Sequence, residues 1–582
     1  MEKVDLKSKI LAATGENPAD LVLKNAYIIN VFSNEVETGD IAIYKGDIAG
    51  IGEYHGKQEI DCSGKYVCPG FIDGHIHLES SMVTPSEFEK AVLPHGTTAV
   101  ITDPHEIMNV AGTQGLDFML DCTENMQLEV FFMLPSCVPA TALDESGAVI
   151  DAKAISQYMN HSRVLGLAEV MDYFSVIQAK EDVLDKLLAA ELHDKRIDGH
   201  APFLSDKGLN AYVAAGVMSD HECSLESEAL EKFRRGQYIM VREGTAARNL
   251  KALMALFKEP YCERSMLVTD DKHPEDLLNG GHIDSIIRDA IRYGADPVCA
   301  IKMGTIVPAT YFKLDKRGAI APGYAADLVL VDDLSAFQVQ AVFKRGVLVA
   351  QNGHVVLPQK DVDLLSSNAK YGRVFNSFNM PLIQPSDFNI ALSGTKQRVI
   401  GLTPHELLTD ERLVELSPES IAEGGVSGER DIIKLAVIER HHNTGHIGLG
   451  FLGGYGLKKG AVATSIAHDS HNLILAGTND RDMALAANTV SKNGGGIAVA
   501  VDGNIVVHIP LPIAGLMGLQ PLKEMETLLQ NAKELLYQLG ISKGIDPFMT
   551  LAFTSLPVIP KLRLTTFGLV DVNAQKIVPA VE

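Results

Sequence analysis

The sequence predicts an α/β chain: a (β/α)8 barrel, a small β-sandwich built from both flanks of that barrel, and a C-terminal α+β domain. Three observations carry this. Eight apolar, strand-like runs alternate with helical stretches between about residues 68 and 316. Short β-rich runs lie on both sides of that region and look too few on either side to fold alone. After residue 365 the texture changes, with polar sequence to 430 and then new strand-like runs.

The segment 1–67 opens with helical spacing from Met1 to Asp20 and continues as short strands, Leu21–Leu23, Tyr27–Phe32, Asp40–Tyr44 and Ile48–Gly52. Turn residues such as Asn25, Asn34, Gly39 and Gly46 separate them. The segment 317–365 offers partners for these: Asp327–Val331, Phe337–Phe343, Val347–Val349 and His354–Val356. The two pieces are expected to form one β-sandwich with the barrel inserted between them.

Within 68–316 the expected strands are Val67–His75, Thr98–Thr102, Glu129–Leu134, Val164–Glu169, Arg196–His200, Val217–His221, Tyr238–Val241 and Met266–Thr269. Helices are expected at Pro85–Leu93, Glu181–His193, Ser224–Arg234 and Arg248–Leu256. A doubly wound open sheet would prefer a Gly-x-Gly-x-x-Gly turn after an early strand, and none is present. In the segment 366–582, strands are expected at Asp431–Ile438, Gly460–Ile466, Leu473–Ala476, Gly496–Val501 and Ile505–Pro510. A helix is expected at Leu522–Leu539. Gly453-Gly454 and Gly494-Gly495-Gly496 read as tight turns, because no Gly-Lys-Ser/Thr follows either.

Composition narrows the function. A net charge of −23 argues against nucleic acid and anionic membrane as partners, since both need basic patches. Seven cysteines without a Cys-x-x-Cys pair are not a disulfide framework, so a cytoplasmic setting is expected. No secretory leader and no run of about 18 apolar residues is seen.

The chemistry gathers at the strand ends. In a barrel, residues at the C-terminal ends of the strands converge on one face. Strand one ends in His75 and His77, whose i, i+2 spacing aims both imidazoles the same way. Strand four ends in Glu169, strand five in His200, strand six in Asp220-His221-Glu222, and strand eight in Asp270-Asp271. Four imidazoles and two carboxylates exceed one tetrahedral site with an open position and suit two divalent metal ions. A natural division puts His75, His77 and Asp270 on one ion, His200 and His221 on the other, and Glu169 on both. Such a pair brings the pKa of a shared water to about 7. Asp270 is placed to accept its proton and hand it to the leaving group. The reaction class is metal-assisted hydrolysis of a polarised C–N bond.

These residues carry a resemblance. Pro69-Gly70-Phe71-Ile72-Asp73-Gly74-His75-Ile76-His77, Asp198-Gly199-His200-Ala201-Pro202, Ser219-Asp220-His221-Glu222, Thr269-Asp270-Asp271 and the 318–329 segment Gly-Ala-Ile-Ala-Pro-Gly-Tyr-Ala-Ala-Asp-Leu-Val are similar to motifs of the amidohydrolase superfamily. Leu78-Glu79-Ser80-Ser81, Thr102-Asp103-Pro104-His105-Glu106 and Ala467-His468-Asp469-Ser470-His471-Asn472 narrow it: over nearly its whole length the chain resembles the bacterial adenine deaminases. That resemblance implies deamination of adenine to hypoxanthine and ammonia in purine salvage, and a homo-oligomer. It also implies a Glu169 bridge where many relatives use a carboxylated lysine, and none lies between Val164 and Phe174. His and carboxylate ligands without thiolate admit Mn, Fe or Zn, and the resemblance favours Mn or Fe. The cysteine pattern of the zinc nucleobase deaminases is absent.

Glu79 and Glu222 are candidates to bind or protonate the purine edge, or else to support the ligating imidazoles. Asp103, His105 and Glu106 are candidates for the pocket mouth, or for an N-cap. His468, Asp469 and His471 are candidates to close the pocket, or form a polar turn. The competing functions are hydrolysis of another aminopurine or of a cyclic amide, which the missing lysine disfavours, and a non-catalytic scaffold, which would have a broken ligand set.

Overall fold

A computed structural model describes residues 3–245, 247–356 and 369–582. The expected boundary at 365–366 lies outside the described residues.

The first surprise lies in the run Val67–His75. It divides at Gly70 into Tyr66–Pro69 and Phe71–Ile76, and the two halves enter different sheets. A Cβ on Gly70 would sit 2.3 Å from Thr98 Oγ1, and its N–H donates to the Asp327 carbonyl at 2.8 Å. Only glycine lets the chain pass that close. Tyr66–Pro69 pairs parallel to Ala19–Asn30 and antiparallel to Leu328–Val331, so the two flanks of the barrel share one nine-stranded sheet. Ala19–Asn30 is one long strand rather than the two expected, with a register shift between Leu23 and Ala26 where Asn25 takes a φ of +58°.

Eight parallel strands build the barrel-type core: β1 (Phe71–Ile76), β2 (Thr97–Thr102), β3 (Glu129–Leu134), β4 (Val164–Val170), β5 (Arg196–Gly199), β6 (Ser219–Asp220), β7 (Tyr238–Arg242) and β8 (Ser265–Val268). β1 to β5 form one sheet and β6 to β8 another. Backbone bonds tie their edges. Met218 N–H donates to the Ile197 carbonyl at 3.0 Å, and Asp270 N–H to the His75 carbonyl at 2.9 Å. Ile72, Ile101, Met133, Ala168, Met240 and Val268 pack inside, over Tyr311 and Phe312. The stretch expected as a helix at Arg248–Leu256 is instead a 3-10 segment, Leu250–Leu256, broken at Leu253 (φ −107°). Its first N–H is taken by the Glu243 carboxylate at 2.6 Å.

At the base of the barrel, Glu129 opens β3 and accepts from Arg317 at 2.8 and 3.0 Å and from Lys344 at 2.9 Å. Lys344 also donates to Asp327 at 2.7 Å. This network fastens the flank sheet beneath β2 and β3. Burial acts to raise the Glu129 carboxyl, but Arg317 and Lys344 prevail and hold it at about 2.

The C-terminal region has an eight-stranded sheet in the order Asp410–Glu415, Lys396–Gly401, Ile447–Gly453, Ile432–Ile438, Leu473–Gly477, Ala461–Thr464, Gly496–Val501 and Asn504–Pro510. The helix Asp480–Lys492 lays Met483, Ala486, Ala487 and Val490 on it. Neither that helix nor the strand Ile447–Gly453 is expected from sequence. The strand holds three glycines, which lower strand propensity. Gly448 is required there, because a Cβ would lie 1.8 Å from the Thr565 carbonyl oxygen. The loop 465–472 leaves this sheet and reaches the barrel mouth.

Candidate active site

The ends of β1, β4, β5, β6 and β8 converge as their sequence suggests. Glu169 lies at the centre. Its Oε2 is 2.7 Å from His200 Nδ1 and 3.2 Å from His221 Nε2, while its Oε1 is 3.4 Å from His77 Nε2 and 3.8 Å from His75 Nε2. Asp270 Oδ1 is 3.2 Å from His77 Nε2 and 3.9 Å from His75 Nε2. Apart from His200, which is partly open, the other five side chains are buried.

The donor set fits cations. His77 Nδ1 faces the Asp103 carbonyl at 3.1 Å. A carbonyl only accepts, so Nδ1 carries a proton, and Nε2 is the nitrogen turned towards Glu169 and Asp270. His75 Nε2 is buried without a hydrogen-bond partner among the described residues. His75, His77 and Asp270 form one group of donor atoms within 4.8 Å of one another, and His75, Glu169 and His221 form a second. Burial and the neighbouring His221 and His77 hold His75 well below the ordinary histidine range. Burial would raise Glu169 and Asp270, but the facing imidazoles, with Arg242 at Asp270, hold both well below the usual carboxylate range. Neutral imidazole and ionised carboxylate are the forms that bind metal.

Two further residues shape the cluster, one not a metal-type side chain and the other not at a strand end. Arg242, at the end of β7, donates from Nη1 to Asp270 Oδ2 at 2.8 Å and grips both oxygens of Glu222. It divides Asp270 into one oxygen facing the imidazoles and one held by a guanidinium. Asp73, inside β1, accepts from Thr269 Oγ1 at 2.5 Å and from the N–H groups of Thr269 and His75 at 3.2 Å each. It thereby fixes His75 against the turn that carries Asp270, and burial pushes its carboxyl up to about 7. Asp270 itself has a φ of +57°, a left-handed conformation costing about 1–3 kcal/mol in a non-glycine residue. Strain of this kind collects at functional sites.

Other acids order the loops. Asp220 accepts from Ala201 N–H at 3.0 Å and Glu222 N–H at 2.8 Å, and pairs with buried Lys232 at 3.1 Å. This sets His200 and His221 beside each other, 3.2 Å apart.

The remaining candidates follow β1 and β2 or lie in the loop 465–472, and all are buried. Glu79 lies in the 3-10 turn Leu78–Ser81, where Oε1 accepts from Ile107 N–H at 3.2 Å and buried Oε2 has no partner among the described residues. Burial and the charge of Glu106 push it up to about 7. Asp103 Oδ2 is 3.0 Å from His105 Nδ1. From the C-terminal domain, His471 Nε2 hydrogen-bonds Glu106 Oε2, and His468 Nδ1 lies 3.1 Å from Glu106 Oε1. His468 stacks on Phe553, with centroids 4.3 Å apart, and Asp469 lies beside it, buried. The C-terminal domain therefore touches the barrel at Glu106, a contact between residues 365 positions apart in sequence.

Comparison with known proteins follows the same division. Residues 66–349 match the amidohydrolase family model, and residues 406–576 match the adenine deaminase C-terminal domain. The chain is 47% identical over 577 residues to "Adenine deaminase 2" of Carboxydothermus hydrogenoformans, covering 99% of each chain. It is 45% identical over 577 residues to "Adenine deaminase" of Geobacillus kaustophilus, again covering 99% of each. Among solved structures, a D-hydantoinase aligns with a TM-score of 0.44 and 17% identity, over 58% of this chain and 96% of that one.

Proposed function

This chain belongs to the adenine deaminase family of amidohydrolases, and we propose that the cluster around Glu169 is its catalytic centre. The reaction is hydrolytic: adenine and water give hypoxanthine and ammonia. The observation that supports the site is the donor set at five strand ends, with His75 Nε2 buried and without a hydrogen-bond partner among the described residues.

The family is metal-dependent. In our reading His75, His77 and Asp270 would hold one divalent cation and His200 and His221 a second, with Glu169 shared between them; Mn or Fe is favoured and Zn is compatible. Bound there, such a pair would supply hydroxide at neutral pH, because it lowers the pKa of water to about 7. The chain's own groups do the rest. Asp270 accepts the proton released as oxygen adds to C6, and returns it to the departing amine. Arg242 holds the Asp270 carboxylate in position through Oδ2. Glu222, gripped by the same guanidinium, and Glu79, one of whose buried oxygens has no partner among the described residues, are the candidates to bind or protonate the purine edge. Asp103, His105, Glu106, His468, Asp469 and His471 line the wall and keep bulk water out.

The segments 1–67 and 317–365 read as one sandwich, 68–316 as a closed (β/α)8 barrel, and 366–582 as the domain that completes the pocket. Among the described residues, no helix is long and apolar enough to cross a membrane. We read the chain as a cytoplasmic homo-oligomer acting on a small molecule, without nucleic-acid or membrane partners. Another aminopurine is the second reading, and a substrate panel separates it. Equal turnover of 2,6-diaminopurine and adenine would contradict adenine specificity.

A further inference from the structure

A second group of donors lies where the loop 465–472 crosses the barrel mouth. It consists of His105, Glu106, His468 and Asp469, all buried. His468 Nδ1 is 3.1 Å and His105 Nε2 3.3 Å from Glu106 Oε1. The same two nitrogens are 3.8 and 3.9 Å from Asp469 Oδ1. Ligands about 2.1 Å from a cation, arranged tetrahedrally, stand about 3.4 Å apart. The four separations bracket that value.

Hydrogen bonding alone accounts poorly for Asp469. Its Oδ1 is beyond hydrogen-bond reach of both imidazoles, and its Oδ2 is buried with no partner among the described residues. The surroundings, in contrast, are those of a supported ligand set. His105 Nδ1 is 3.0 Å from Asp103 Oδ2, which fixes the ring and turns Nε2 towards Glu106. His471 Nδ1 accepts from Ala467 N–H at 3.2 Å, so its Nε2–H donates to Glu106 Oε2. His471 is therefore a support for Glu106 rather than a ligand, and Oε1 is left for the group. When ionised, the two carboxylates place a double negative charge in a buried site, close to Asp103 and Glu169, which either protons on His105 and His468 or a cation must balance. Such charge is retained only where something positive compensates it.

We propose that His105, Glu106, His468 and Asp469 form a further divalent-cation site, which joins the barrel to the C-terminal domain. It is separate from the catalytic pair: only His105 lies near both groups, with its Nδ1 3.7 Å from Glu169 Oε1. Two imidazoles and two carboxylates without thiolate suit Mn, Fe, Co or Zn. Because two ligands come from each domain, occupancy stabilises the docked arrangement.

Anomalous diffraction tests this on crystals of the full chain, stripped by chelator and reloaded with Mn²⁺ or Zn²⁺. The expected result is a peak about 2.0–2.3 Å from Glu106 Oε1 and His468 Nδ1. That peak should vanish in the His468→Ala, Asp469→Asn double variant while any at His75, His77 and Glu169 remain. In solution the variant should bind one metal equivalent fewer. Ordered His105, Glu106, His468 and Asp469 side chains with no peak between them would overturn the proposal, showing that protons alone compensate the cluster. The wild-type map decides even where the variant fails to fold. Because peaks are read by position, the outcome is independent of the Glu169 cluster.

Discussion

Arg242→Lys isolates the positioning of Asp270. The arginine is mostly buried and spans two carboxylates, with Nη1 2.8 Å from Asp270 Oδ2 and Nη2 3.2 Å from Glu222 Oε2. Nε also donates to Asn249 Oδ1 at 3.3 Å. Lysine keeps the charge but has one nitrogen, and cannot serve both acids with a planar fork. One charge-assisted hydrogen bond is lost, worth about 1.5–3 kcal/mol. If that bond orients Asp270 in the transition state, turnover falls about 10- to 150-fold. Oδ1, the oxygen proposed to ligate, still faces His77, so metal content should not change. The assay is ammonia release at saturating adenine, normalised to metal measured on the same sample. Turnover within threefold of wild type would refute the positioning role. So would a loss that tracks metal content alone.

Asp270→Asn should lower turnover by about 10²–10⁴-fold, the usual worth of a general acid–base group, with the melting temperature little changed; near-full ammonia release would remove Asp270 from the proton path. Glu169→Ala should lose metal as well as activity, by more than the about 10–100-fold that an outer partner is worth; two equivalents still bound by emission spectrometry would sink the bridging role. Glu129→Gln should cost about 1–3 kcal/mol at pH 7 in denaturant unfolding. The Glu129 carboxyl is depressed to about 2 in the fold, so its contribution is present above the unfolded value of about 4.3 and fades as pH falls towards 2. The penalty should shrink by more than half at pH 3, and an equal penalty at both pH values would contradict the ion-pair account.

Much of the site was legible because a barrel converts linear order into convergence: His75, His77, Glu169, His200, His221 and Asp270 each end a strand-like run. Arg242 obeys the same rule, at the end of β7, but a search restricted to metal ligands passes over it. Asp73 is hidden differently. It lies inside a strand, and its partner Thr269 is 196 residues away. The division of Val67–His75 depends on space at Gly70 that only the folded neighbours, Thr98 and Asp327, define. The mouth was legible only as residue types. That His471 meets Glu106 is a property of domain docking, which periodicity does not encode.

The central claim is that the Glu169 cluster binds the cations that deaminate adenine. Adding Mn²⁺ to chelator-stripped protein while following ammonia and hypoxanthine tests it most directly. The two products should appear in equal amounts, with activity rising in proportion to metal bound and absent from metal-loaded Glu169→Ala. Full activity in metal-free protein, or none in the loaded wild type, would contradict it.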